Sequence, residues 1–168
     1  MSVALRPYSK EDAQRLSELA NNFKIAKFLT GRFPHPYTID HANTFIETFL
    51  KDEPTKVFAI TYNNELVGGT GIHLQEDIFI NNAEIGYWVG EEYWGKGIMT
   101  EALKLITDKA FQSFPITRVY CRVFGNNPRS MKVLEKAGFT LEAKFDSTLL
   151  KNGEILDEYI YAKRRDKN

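Results

Sequence analysis

The sequence predicts a mixed α/β fold, because strand-like and helix-like segments alternate through its middle and antiparallel hairpin signals stand near both ends. Its 168 residues, 43% of them hydrophobic, suffice for one core of ordinary size, so a single domain over 1–168 is expected. The segments add up to about seven strands and four or five helices.

"VALRPY" reads as the opening strand. Ser9 and Asp12 then have the spacing of a capping box before a helix through "AQRLSELA". Helical text continues in "FKIAKFL" until Gly31, Pro34 and Pro36 break it, and a helix is expected to restart after Asp40 through "ANTFIETFLK". "KVFAITY" and "LVGGTGIHL" flank "NNE", the pattern of a hairpin with a tight polar turn. "AEIGYWV" and "RVYCRVF" read as strands on either side of a helix over 98–113. A further helix, "PRSMKVLEKA", stops at Gly138, a residue suited to the position just past a helix end. The chain closes with a second hairpin marked by "KNGE".

Several function classes are disfavoured at this level. The 22 basic and 22 acidic side chains cancel, which removes the electrostatic argument for nucleic acid or a membrane surface as main partner. The basic tail "AKRRDKN" reads as solvated. No apolar run approaches bilayer length and the first residues hold no apolar signal core, so a cytoplasmic protein is expected. The single cysteine, Cys121, lies in a strand-like run and reads as a buried small hydrophobe before it reads as a nucleophile. His35, His41 and His73 lack metal-ligand spacing, and no metal is expected.

The most informative stretch is "GYWVGEEYWGKGIMTEALKLI". Leu103, Ile106, Ala110 and Phe114 mark the buried face of the helix that follows Gly97. The start of that helix offers amides and a dipole to an anion. Gly95 and Gly97 keep side chains out of the way, and Lys96 adds charge. One reading is a phosphate cradle; the other is a tight strand-to-helix turn that needs positive φ. "GEEYWGKG" misses the triphosphate loop at its last place, where Gly97 replaces the magnesium-holding hydroxyl, and Thr100 breaks the dinucleotide glycine pattern.

"EEYWGKGIMTEAL" resembles the acetyl-coenzyme A pyrophosphate loop of the GNAT N-acetyltransferases, with Gly95 and Gly97 at its two small-residue positions and Glu92 where arginine or glutamine is usual. "NNPRSMKVLEKAGF" is similar to the family's later motif, with Asn127, Ser130, Lys136, Gly138 and Phe139 in register. "PHPYTIDHANTFI" resembles the entry to the second helix in the RimJ/RimL-type branch.

The resemblance implies a GNAT-like, mostly antiparallel twisted sheet splayed between its two middle strands, with acetyl-CoA as cosubstrate. It assigns cofactor binding to Trp88, Val89, Gly95, Lys96, Gly97, Ile98, Met99, Thr100, Asn127 and Ser130. The pantetheine arm would pair with backbone near Trp88 and Val89, and the Val89 amide could polarise the thioester carbonyl. Regular alternation puts Ala83, Ile85, Tyr87 and Val89 on one face of their strand and Glu84, Gly86, Trp88 and Gly90 on the other. The resemblance makes Glu84 the candidate base, since it lies on the strand beside the implied thioester at a position where many relatives carry an acid; the other reading is an ordinary strand carboxylate. Ser130 is the candidate proton donor to the leaving thiolate, or else a helix cap or cofactor ligand.

Tyr87, Trp88, Tyr93 and Trp94 suit either an acceptor wall or plain packing, and by analogy the 33–37 loop would cover the acceptor. The expected function is acetyl transfer to a small-molecule or peptide amine, with a protein N-terminus as the family default. The alternative is a non-catalytic acyl-CoA binder of the same fold. The edges of the closing hairpin suit pairing between two subunits as a homodimer.

Overall fold

Two asparagines and an Asn-Gly pair fold the two hairpins, at the places the sequence marks for them. The computed structural model describes residues 2–167. Among these, β1 (Val3–Arg6), α1 (Ala13–Ala20), α2 (Phe23–Ala26), α3 (Ile39–Phe49), β2 (Val57–Tyr62) and β3 (Glu65–Leu74) lead to β4 (Asn82–Val89). Then come α4 (Ile98–Ser113), β5 (Arg118–Phe124), α5 (Pro128–Lys136), β6 (Thr140–Lys151) and β7 (Glu154–Arg164). The strands form one open sheet in the order β1-β2-β3-β4-β5-β7-β6, so the mixed α/β expectation holds. The chain packs as two compact units, the first comprising residues up to Gly71 together with Tyr87–Ala102, the second Ile72–Gly86 and the chain from Leu103 onward.

In the first unit, β2 pairs antiparallel with both β1 and β3. Asn63 and Asn64 turn β2 into β3 with φ of 50° and 71°, the left-handed pair a tight hairpin needs and asparagine tolerates. Asp12 receives the Ser9 amide at 2.8 Å just before α1, so the expected box residues do meet. That helix buries Leu16, Leu19 and Ala20, and each fully covered leucine contributes about 2 kcal/mol. α3 begins earlier than expected, at Ile39. Thr38 accepts the His41 amide at 3.3 Å and His41 Nδ1 accepts the Thr38 amide at 3.0 Å, a reciprocal cap with histidine in the place of the usual acid. Ala42 and Ile46 of α3 join Leu16, Tyr8, Tyr37 and Val57 in one apolar cluster, on which Phe33, Phe45 and Trp88 pack.

In the second unit, β4 pairs parallel with β5 through Asn82↔Arg118, Ala83↔Val119 and Glu84↔Tyr120. β7 lies antiparallel to β5 on one side and β6 on the other. Asn152 and Gly153, with φ of 52° and 77°, close the second hairpin. Helix α5 starts at Asn127, whose side chain accepts the Ser130 amide at 3.3 Å, and carries Pro128 in its first turn, where a missing N–H costs nothing. Gly138, at φ 92°, lets the chain leave the helix as expected.

Candidate functional site

The sequence-predicted site residues fall in both units: a strand end and turn in the first, a carboxylate cluster and a helix start in the second.

In the first unit, β4 runs out against β3 at unusually short range. A Cβ at Gly68 would collide with the Trp88 carbonyl oxygen and stand 2.9 Å from Val89 Cα, and one at Gly69 would stand 2.9 Å from the Trp88 indole nitrogen. Gly68 therefore admits the Trp88 and Val89 backbone, and Gly69 admits the Tyr8 hydroxyl and the Trp88 indole. Beyond Val89 the Gly90 amide donates to the Val67 carbonyl at 2.8 Å, and the Trp94 indole donates to the Val89 carbonyl at 2.9 Å. Trp94 thus clamps the turn to the strand end. Trp88 also meets Phe33 edge-on at 5.7 Å between ring centres, so it is a packing residue whatever else it does.

Gly95 and Gly97 have φ of 75° and 77°, and nothing lies within 4 Å of where a Cβ would stand at either. Gly95, Lys96 and Gly97 are exposed, whereas Ile98 and Met99 are buried and anchor the helix start. The Glu101 amide makes the first bond of α4, to the Gly97 carbonyl at 3.2 Å. The amides of Ile98, Met99 and Thr100 consequently have no helical carbonyl to receive them. The positive φ at both positions demands glycine, and the open space leaves amide groups and the helix dipole approachable by an anion. Lys96 Nζ rests 5.4 Å from the centre of the Tyr93 ring.

Glu92, which stands where the family motif has arginine or glutamine, takes a cation from elsewhere. Arg15 of α1 donates to Glu92 at 2.8 Å and to the Tyr93 hydroxyl at 2.8 Å. Lys24 holds Glu91 at 2.6 Å, and Asn22 adds a bond at 2.8 Å. Both acids of the "GEEYWGKG" turn are therefore tied to the helices that precede them.

In the second unit, Ala83 and Ile85 are buried while Glu84 is half-buried, so the expected alternation holds over this part of β4. Arg122 Nε lies 3.5 Å from the Glu84 carboxylate, and Arg122 Nη1 is bonded to the buried Glu158. Burial works against the charge on Arg122, but Glu158 and Glu84 outweigh it and hold its pKa above the ordinary guanidinium value. Tyr120 lies under two guanidiniums, Arg118 at 4.6 Å and Arg122 at 5.7 Å. Burial first, then the Glu84 charge, raises the Tyr120 pKa. His73 stands beside Gly86, with Nε2 3.4 Å from where a Cβ would be.

Asn127 is the cap of α5, and Ser130 is the residue whose amide it caps. The capping role weighed for Ser130 thus belongs to Asn127. Cys121 is fully buried, which pushes its thiol pKa well up, with Glu84 adding to the effect. A thiol kept neutral in this way is a packing residue and not a nucleophile. Sequence reasoning missed Gly68, Gly69, Arg15, Arg122 and Glu158. Only the doubled glycine carried a local signal.

An open sheet with a glycine turn presenting a bare helix start is an architecture suited to holding a phosphorylated ligand. The acetyltransferase (GNAT) domain family matches residues 2–140, and the chain belongs to that family. It is 31% identical to the putative ribosomal N-acetyltransferase YdaF of Bacillus subtilis (strain 168), over 95% of this chain and 90% of that protein. It is 27% identical to the spermidine N(1)-acetyltransferase of Escherichia coli (strain K12), over 91% and 81%. The structure of Mycobacterium smegmatis RimJ in complex with CoA-disulfide superimposes with a TM-score of 0.82 and 25% identity, covering 96% of this chain and 81% of the other. The RimJ/RimL-type resemblance is borne out, and the chain is an N-acetyltransferase.

Proposed function

We propose that this enzyme transfers acetyl from acetyl-CoA to a primary amine, with a peptide α-amino group as first acceptor class. The reading is carried by the turn at 95–97, whose two left-handed glycines leave the α4 amides open to a diphosphate. In this assignment the amides of Gly95, Lys96, Gly97, Ile98, Met99 and Thr100 hold the diphosphate. The backbone of Trp88 and Val89 takes the pantetheine arm, and Asn127 and Ser130 contact the cofactor near its thioester.

The acceptor nitrogen attacks the thioester carbonyl carbon, the oxyanion forms and collapses, and the carbon–sulfur bond breaks. Glu84, through a water, takes the proton the amine loses, and Ser130 delivers one to the departing thiolate. An α-amino group with a reference pKa of about 8 needs only a modest base. The polyamine and ribosomal relatives are consistent with an amine acceptor of either kind.

The test measures thiol release from acetyl-CoA against a seryl peptide, spermidine and a free amino acid, with Glu84→Gln and Ser130→Ala alongside. Release with the peptide, reduced at least tenfold in Glu84→Gln, is expected. Release with spermidine alone would replace the acceptor class, and full activity of Glu84→Gln would remove the base.

A further inference from the structure

Glu158 is a carboxylate 9% exposed, on a strand two places away in the sheet from Glu84, and Arg122 touches both. Taking a carboxylate out of water is costly unless a cation compensates it, so the burial of Glu158 fixes where the Arg122 guanidinium must stand. From that position Nη1 serves Glu158 while Nε is left at 3.5 Å from Glu84, close enough for attraction but outside direct hydrogen bonding. One guanidinium is shared unequally between a buried acid and a half-exposed one. We propose that Arg122 is a positioning residue for Glu84, and that Glu158 limits how tightly Arg122 holds it, leaving the Glu84 carboxylate oriented but available to water.

This inference rests on the reading of Glu84 as the base. Tyr120 and Arg122 of β5 act on Glu84 directly and Glu158 of β7 through Arg122, while His73 of β3 stands beside Gly86, two residues further along the strand. Cys121, buried, feels the same carboxylate. Arg118 supplies a built-in control, since it stacks on Tyr120 but gives its bonds to Asn82 and Glu142.

Removing the cation makes Glu84 easier to protonate. Removing Glu158 makes it harder, both because a like charge is lost and because Arg122 is freed to move onto Glu84. The two substitutions must therefore act in opposite directions, which loss of packing would not produce.

The experiment titrates the ligand-free protein carrying carboxyl-labelled glutamate by carbon NMR, with the Glu84 signal assigned by its disappearance in Glu84→Gln. The Glu84 signal is expected to move in opposite directions in Arg122→Gln and in Glu158→Gln. It should stay in place in Arg118→Gln. Arg122→Lys, a point charge unable to span both acids, should lie between parent and Arg122→Gln and serves if the glutamine variant does not fold. An unmoved signal in the Arg122 variants, or movement in the same direction for Arg122 and Glu158, overturns the proposal. The acid limb of the thiol-release profile with the active acceptor should follow the same order. A fully active Glu84→Gln would instead sink the base assignment, and the titration distinguishes the two failures.

Discussion

Arg6 grips Asp12 with both prongs of its guanidinium, Nη1 to Oδ2 at 2.7 Å and Nη2 to Oδ1 at 2.8 Å, while the same carboxylate receives the Ser9 amide. The pair joins the last residue of β1 to the turn that starts α1. Burial raises the Asp12 pKa, but the Arg6 and Ser9 bonds lower it further, and the net position is below the usual carboxylate range. A depressed folded value means stability present above the unfolded pKa and lost as pH falls through the folded one. Asp12→Asn is expected to cost about 2 kcal/mol at neutral pH, a figure already reduced for the partial exposure of Arg6. The gap to the parent should shrink at an acid pH below the ordinary aspartate range. Urea unfolding at the two pH values checks it, and a pH-independent gap would mean the charge of Asp12 is not what matters.

Gly97 offers a separable test of the turn. Because no atom crowds it, alanine there suffers only from the positive φ, costing about 1–2 kcal/mol, and asparagine should cost less. Coenzyme A binding should suffer independently. A side chain over the open amides is expected to weaken it tenfold or more, on the order of 1.4 kcal/mol, in both variants. Calorimetric titration with coenzyme A beside urea unfolding separates the effects. Parent-like affinity in Gly97→Asn would show that the diphosphate does not sit on this turn.

What the sequence made legible was local. Helix α4 spans Ile98–Ser113 as its period implied, and "NN" and "NG" turn where such pairs turn because their left-handed conformations are their own property. Thr38 and His41 were not foreseen as a cap, since histidine accepts an amide there only through Nδ1 and the usual signature has glutamate or glutamine. Arg122 and Glu158 escaped for another reason: their meeting is set by the β5–β7 register, which pairs Arg122 with Ile160 and Phe124 with Glu158. No local pattern of either strand encodes that register. The same holds for Gly68, whose neighbour Trp88 lies on the next strand.

Gly68→Ala should accordingly be among the most damaging small substitutions in the chain. Its methyl would meet backbone, at Trp88 and Val89, which cannot rotate away as a side chain could. A loss of about 3 kcal/mol is expected. Gly31→Ala is the matched control, for nothing lies within 4 Å of it and its φ is not positive, so a change below about 0.5 kcal/mol is expected. Thermal unfolding of the two proteins gives the comparison directly, and equal melting temperatures would contradict the close approach of β4 to β3.

Thr107 points to a stabilising change. It lies within α4, 1% exposed, and its hydroxyl oxygen is buried without a hydrogen-bond partner. A hydroxyl in water makes bonds that this one gives up, so replacing it with a methyl of similar shape removes a penalty and leaves no cavity. Valine and threonine have similar helix propensities, which keeps the backbone contribution out of the comparison. Thr107→Val is expected to gain about 1 kcal/mol, or roughly 2–4 °C in melting temperature. Thr107→Ala removes the same hydroxyl but also a methyl, and the resulting void should offset the gain. The ordering valine, then parent and alanine close together, is what desolvation predicts. A valine variant less stable than the parent would mean that the hydroxyl is hydrogen-bonded in solution, with the Leu103 carbonyl one turn back as its nearest acceptor by helical geometry.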